Sequence, residues 1–564
     1  MKHRFPGNVT KWFCLAVTLV VVAGPQPAEA QLNPDLYRLS HVLTPETLQT
    51  GCTSIMVGRL ATVDGSVITC HSCDGNYRTW LNIDPARENP AGSYQSIYWG
   101  LLHTETPWDM YRVRLKGEIP EVPQTNAYMN VAYPCMNEKG LAIGETTFGG
   151  NRELRNDEGL FLIENLQQIA LERCSTAREA IRLIGDLVKE YGYGDSGECL
   201  TFADAKEVWQ FEILGAGPLE IGAVWAAARI PDDHVGVSAN IPRISELDLN
   251  DPDNYMASDN VHSLAEEMGW WDPSSGEPFK FWAAYTSRNS EGVPRKPFST
   301  REFFILSTLA PYLNLSMDMD ELPFSVKPDH KVSVQEVFAY YRQTYEGTDF
   351  DASKNLKIAG RSQGRSGQTT TGSQPAAVTS PSVNNWNLGG DMGRLLNTLQ
   401  PGSVQAQRTI AISSCSYSQV IQCRDWLPPE IGTVAYFSFD NPGQSPRIPI
   451  YAGVLELPDS FEYCGQKKFR TDSATWWFRR ANRLAMIKWG TTRQYIEGAV
   501  QKFEERAFEE QPFIEARAVD VGKSEGREAM REYLTDYTNR FARAAMQEWW
   551  DLGDFFFTMF ARGW

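Results

Sequence analysis

The sequence predicts an α+β protein in which β-sheets are layered with helices. Three observations predict it: hairpin-spaced strand runs beginning at Cys52, two amphipathic helices between two blocks of strands, and a long helical C-terminal region. The chain has 564 residues, 42% hydrophobic and 22% charged, enough to bury a large core with the make-up of an ordinary globular protein.

The N-terminus comes first. Lys2, His3, Arg4 and Lys11 make a positive start, residues 12–23 (WFCLAVTLVVVA) are nearly all apolar, and Ala28-Glu29-Ala30 is a small-x-small cleavage site. This pattern predicts a secretory signal peptide over 1–30, since the apolar run is shorter than the ~20 residues a membrane span needs. The mature protein is therefore expected to be exported, periplasmic or extracellular, without a stable membrane span. Residues 31–51 are polar and aperiodic and read as a short pro-segment.

From Cys52 the pattern turns β-rich. Thr53–Gly58 is one run, Asp64-Gly65 supplies a turn, and Ser66–His71 is a second run, so a hairpin begins at Cys52. Further strands are expected near 110–115, 127–133 and 141–147, the last fed by the Asn137-Glu138-Lys139-Gly140 turn. Apolar residues at 3–4 spacing predict helices over 159–173 and 176–191, with Ser175 or Thr176 capping the second. Strands resume at 199–203 and 207–213 around Asp204-Ala205-Lys206, then at 219–229 and 234–239. The Ser/Gly/Thr/Gln/Pro-rich stretch 361–390 reads as a flexible insertion. Strand character returns at 408–423 and 432–439, and roughly 472–562 is helical by period, giving a main domain over 52–470 and a helical C-terminal extension over 471–564.

Composition narrows the chemistry. A net charge of −17 argues against nucleic acid, which needs a basic face. Of the 10 Cys, Cys14 leaves with the leader, and reserving one as a nucleophile leaves an even number, so some pairing is open in an oxidising compartment. Cys70 and Cys73 have C-x-x-C spacing without a partner pair, and the 7 His include no H-E-x-x-H, so neither a metal nor an organic cofactor is implied.

Several segments together carry a resemblance. Cys52-Thr53-Ser54-Ile55-Met56-Val57-Gly58, Asp64-Gly65-Ser66 and Cys73-Asp74-Gly75 resemble the opening of the PepD-like dipeptidases, cysteine peptidases of the N-terminal-nucleophile (Ntn) hydrolase superfamily. Asn137–Ile143, Val237–Ile244, Trp426-Leu427-Pro428 and Tyr451-Ala452-Gly453 resemble later family segments in the same order. The resemblance implies a four-layer αββα Ntn-hydrolase sandwich of two mainly antiparallel sheets and a substrate that is a small peptide or amide; oligomeric state stays open.

The resemblance also implies roles. Cys52 is the nucleophile and, once the Gly51–Cys52 bond is cut, its α-amine is the base. A thiol near pKa ~8.5 and an α-amine near ~7.7–8.0 exchange a proton at little cost. Gly51 has no side chain to obstruct that cut. Asp74 is expected to orient the ammonium and Asn240 to bind the oxyanion. Thr147 is a further oxyanion donor, and Arg243 a bidentate holder of a substrate or protein carboxylate. One departure stands out: His71 occupies the place of a family Arg, so either His71 carries positive charge in a pH-dependent way or another cation serves. The alternatives are an Ntn amidase acting on acyl amides, a non-catalytic surface binding protein, and a conventional Cys–His peptidase built on Cys135 or Cys199.

Overall fold

The structure, a computed structural model, describes residues 51–75, 77, 79–100, 113–359, 377–465 and 468–562. The leader expected at 1–30 and the pro-segment up to residue 50 lie outside the described residues, as do 361–376 of the expected insertion. Its remainder begins with the strand Ala377–Thr379, paired with Lys357–Ala359.

The chain enters through a hairpin, β1 (Ser54–Val57) and β2 (Val67–Asp74). Asp64 makes its turn: Oδ1 accepts from the Ser66 amide at 3.1 Å and hydroxyl at 2.6 Å, and Gly65 takes φ 86°. β3 (Ala142–Gly149) precedes helices α1 (Ile163–Arg173) and α2 (Ala177–Tyr191). Thr176 caps α2 in a capping box with Glu179, and Ala180, Ile181, Ile184 and Val188 form its buried stripe. The two Ile and the Val each contribute ~1.5–3 kcal/mol by leaving water. β4 (Gly197–Ala203), β5 (Val208–Gly215), β6 (Ala223–Ile230) and β7 (Val235–Ser238) follow, then α3 (Thr300–Leu309) and α4 (Val334–Tyr341). β8 (Cys415–Cys423), β9 (Val434–Phe439) and β10 (Ile448–Tyr451) lead to α5 (Ala474–Ala485), α6 (Trp489–Ser524) and α7 (Arg527–Ala561).

Strands β1–β10 fall into two large antiparallel sheets. One has the order Ser325–Val326, β7, β1, β2, β8, β9, β10; the other runs Tyr255–Ala257, β6, β5, β4, β3, Met136–Asn137, Tyr128–Asn130, Asn82–Asp84. β1 lies central in the first sheet, pairing Ser54 with Ser238 on one side and Met56 with Thr69 on the other. The sheets stack so closely that a Cβ on Gly144 would come within 2.5 Å of the Cys70 carbonyl oxygen. Near the start of β1 the interface is polar: Thr69 and Thr201 hydroxyls meet at 2.6 Å, Thr146 and Ser238 at 2.7 Å, and Ser54 Oγ donates to the Glu145 carbonyl at 3.2 Å.

Helices cover both outer faces, giving the αββα sandwich with a helical C-terminal extension. The extension is tied to the first sheet by Arg424, just beyond β8, which makes a bidentate pair with Glu515 of α6 at 2.6 and 2.9 Å. Thr538 of α7 donates to the Pro449 carbonyl at 3.0 Å. The nine described cysteines are all free thiols. Among the described residues no helix is long and apolar enough to cross a membrane.

Candidate active site

Cys52 lies one residue ahead of the Thr53–Ser72 bridge that opens the β1–β2 ladder, with the Ser72 amide donating to the Thr53 carbonyl at 3.0 Å. That register sets Cys52 opposite Cys73. A hydrogen bond with the Cys73 thiol, burial, and the charges of Glu145 and Asp74 all push the Cys52 thiol well above its ordinary value. Burial raises Cys73 in turn, to about 11. With Gly51 still joined to Cys52, the residue has no α-amine and its sulfur is a protonated thiol.

Two arginines hold the peptide around Cys52. Arg301, from the first turn of α3, donates through Nη1 to the Cys52 carbonyl at 2.7 Å and to Thr53 Oγ1 at 3.1 Å. Its Nη2 donates to the Ala239 carbonyl at 2.8 Å and to Asn240 Oδ1 at 3.0 Å. Arg408 donates from Nη2 to the Gly51 carbonyl at 2.7 Å and to Asp74 Oδ2 at 2.6 Å. Burial and the neighbouring Arg408 lower Arg301 to about 10, still charged at neutral pH. Tyr341 of α4 adds a hydroxyl to the Thr53 carbonyl at 2.7 Å.

Asp74 ends β2, buried against these arginines, and its Oδ1 has no hydrogen-bond partner among the described residues. Asn240 follows β7 in the left-handed region at φ 63°, a conformation Asn tolerates better than most residues. Its Nδ2 donates to the Thr147 carbonyl at 2.7 Å, so both ends of the amide are fixed. Gly51 packs directly on this amide: a Cβ there would clash with Asn240 Oδ1 and stand 3.0 Å from its Cγ. The Thr147 hydroxyl turns away from this peptide and donates to Glu145 Oε1 at 3.1 Å.

On the other side lie His71 and Glu145. The ligating atoms of Cys52, His71 and Glu145 fall within 4.8 Å of one another, and among the described residues these three are the side chains placed to share a small cation. His71 Nδ1 sits 2.6 Å from the Glu145 carbonyl oxygen, 3.3 Å from the Glu145 amide nitrogen and 3.8 Å from Glu145 Oε2. Burial pushes His71 down to about 4. Burial pushes Glu145 up to about 7, and Glu198, buried beside it, is raised by burial and by Glu145. Burial favours the neutral form of both groups. His71 therefore supplies no fixed positive charge at neutral pH; the cations at this peptide are Arg301 and Arg408.

Arg243 is placed elsewhere. It is buried, and its guanidinium donates to the carbonyls of Pro297 at 2.8 Å, Pro323 at 2.5 Å and Leu322 at 3.4 Å, holding a loop rather than reaching the Cys52 peptide. Cys135 and Cys199 are buried thiols raised well above their ordinary value by burial. Sequence reasoning missed Glu145, Arg301 and Arg408. Glu145 carried a signal, a carboxylate inside an otherwise small and apolar run, LAIGETTFGG; the two arginines carried none.

The sequence profile of peptidase family C69 matches residues 51–502, beginning at the glycine before Cys52. The chain belongs to peptidase family C69. A probable dipeptidase of Latilactobacillus sakei is 26% identical over 450 residues, covering 77% of this chain and 80% of that protein. A probable dipeptidase of Salmonella dublin is 26% identical over 414 residues, 72% of this chain and 81% of that one. Probable dipeptidase B of Streptococcus pyogenes serotype M1 is 20% identical over 448 residues, 78% and 79% of the two chains. For this C69 member, the family together with the Cys52–His71–Glu145 cluster identifies a cysteine-type hydrolase.

Proposed function

We propose that this C69 hydrolase is an exported dipeptidase of the Ntn type, whose Cys52 becomes the first residue of the mature chain by self-cleavage after Gly51. The arrangement around the Gly51–Cys52 peptide carries the reading: a thiol at the head of a central strand, a guanidinium on the carbonyl before it, a buried carboxylate with an open oxygen, and a fixed side-chain amide packed on Gly51. The similarity to probable dipeptidases supports a dipeptide substrate. Residues 12–23 with the small-x-small site at 28–30 support export.

In the mature enzyme the freed α-amine of Cys52 lies beside Asp74, whose negative charge orients the ammonium and sets its pKa. The neutral amine accepts the thiol proton as sulfur attacks the substrate carbonyl, and then delivers it to the leaving amine. The amide of Asn240 and the charge of the two arginines stabilise the oxygen that turns negative. Water hydrolyses the thioester and restores the thiol. The test is dipeptide hydrolysis by the purified mature chain and by Cys52→Ala, with acyl amides run in parallel. The reading requires turnover of dipeptides that vanishes with the sulfur; hydrolysis of acyl amides alone, or activity surviving in Cys52→Ala, overturns it.

A further inference from the structure

We propose that Arg408 is the catalytic oxyanion donor for the self-cleavage at Gly51, a role that rests on the processing reading above. Its Nη2 lies 2.7 Å from the Gly51 carbonyl oxygen, the atom on which charge collects when Cys52 Sγ attacks Gly51 C. The same nitrogen is held 2.6 Å from Asp74 Oδ2, and Nη1 is tied to the Thr409 carbonyl, so the donor is in position before reaction begins. The next carbonyl, that of Cys52, is occupied by Arg301 and is not the one attacked. Among the described residues these two guanidinium groups are the cations hydrogen-bonded to the scissile peptide and its neighbour.

The step balances without an oxidant or a cofactor. The Cys52 S–C bond to Gly51 forms, the thiol proton moves to the Cys52 nitrogen, and the Gly51 C–N bond breaks, leaving a thioester and a free α-amine. Water then adds to the thioester carbonyl and the S–C bond breaks. Gly51 departs as a carboxylate, its proton goes to solvent, and the thiol is regenerated. In both tetrahedral intermediates the oxygen carrying the charge is the one Arg408 faces.

Asp74 and Arg408 thereby share the work in time. Before cleavage the carboxylate steadies the guanidinium; after cleavage it has a new ammonium to hold, and Arg408 loses its carbonyl acceptor. The chain segment that delivers Arg408 lies more than three hundred residues from Cys52, so cleavage waits for the sandwich to close around β8.

The experiment follows full-length chain made by cell-free synthesis and sampled over time by intact mass, reading the fraction that begins at Cys52. Arg408→Gln is expected to slow conversion by about 10²-fold, the usual loss for one oxyanion donor. Arg408→Lys, which keeps a cation against Asp74, is expected to be slowed less, by about tenfold, and low-millimolar guanidinium is expected to speed Arg408→Ala. Thermal melting of each variant separates misfolding from slow chemistry, and the Lys variant carries the comparison if the Gln variant does not fold. Conversion of Arg408→Gln at the wild-type rate overturns the assignment while leaving processing intact. A wild-type chain that never yields an N-terminal Cys52 overturns the processing reading and this assignment with it.

Discussion

Replacing Gly51 by alanine tests whether the Gly51–Cys52 peptide is held as tightly as cleavage requires. The added Cβ stands 3.0 Å from Asn240 Cγ and closer still to Oδ1, so the amide has to retreat by about 1 Å to restore ordinary contact. It cannot do so freely, because Nδ2 is bonded to the Thr147 carbonyl at 2.7 Å and Oδ1 to Arg301 at 3.0 Å. Losing one neutral and one charge-assisted hydrogen bond costs about 2–4 kcal/mol. If that cost falls on the cleavage barrier, conversion slows by about 30- to 1,000-fold. The assay is the time course of intact mass for full-length Gly51→Ala, with its melting temperature measured alongside. Conversion within threefold of wild type at unchanged stability would refute the claim that the fixed amide polices position 51.

Further predictions follow from the same geometry. Cys52→Ser should retain the fold yet lose at least about 10³-fold in kcat, measured on dipeptides, because a hydroxyl is a far poorer nucleophile beside an amine base. His71, lowered to about 4 in the fold against an ordinary value near 6.5, binds its proton less readily folded than unfolded. It therefore withdraws stability as pH falls through 6.5 toward 4, on the order of 3 kcal/mol for full burial, and His71→Asn should lack that component in urea melts run against pH. Glu145, raised to about 7, has the opposite sign: its contribution declines as pH rises from the unfolded value toward 7, and Glu145→Gln should flatten that limb. Glu515→Ala should cost about 3–5 kcal/mol in denaturant unfolding by stranding Arg424 under the C-terminal helices. Arg243→Ala should lower melting temperature through its loop while leaving kcat/KM of the folded enzyme within a few-fold of wild type.

The parts of the fold legible in the sequence are those set by neighbours along the chain. Asp64-Gly65 and the two flanking β-rich runs gave β1 and β2 because an Asp side chain caps its own turn. Thr176 with Glu179 gave the start of α2 because that pair satisfies amides within one turn. Cys52, Asp74 and Asn240 were recognisable as a set from the resemblance, and the first two lie on one hairpin. Arg301 and Arg408 reach adjacent carbonyls, those of Cys52 and Gly51, from α3 and from the loop before β8, and nothing local distinguishes them from surface arginines. Arg243 misled because its motif is near Asn240 in sequence, yet its side chain runs to the carbonyls of residues 297, 322 and 323. His71 was read as a candidate charge; only three-dimensional burial reveals that it is neutral.

Turnover by a molecule whose first atom is the backbone nitrogen of the nucleophile's own residue is the heart of the account. The most direct measurement is top-down mass spectrometry of the species alkylated at its catalytic sulfur with concomitant loss of dipeptide hydrolysis. One label is expected, on a chain that starts at Cys52 with a free amine. A single label, with the same loss of hydrolysis, on a chain that still carries Gly51 would contradict it.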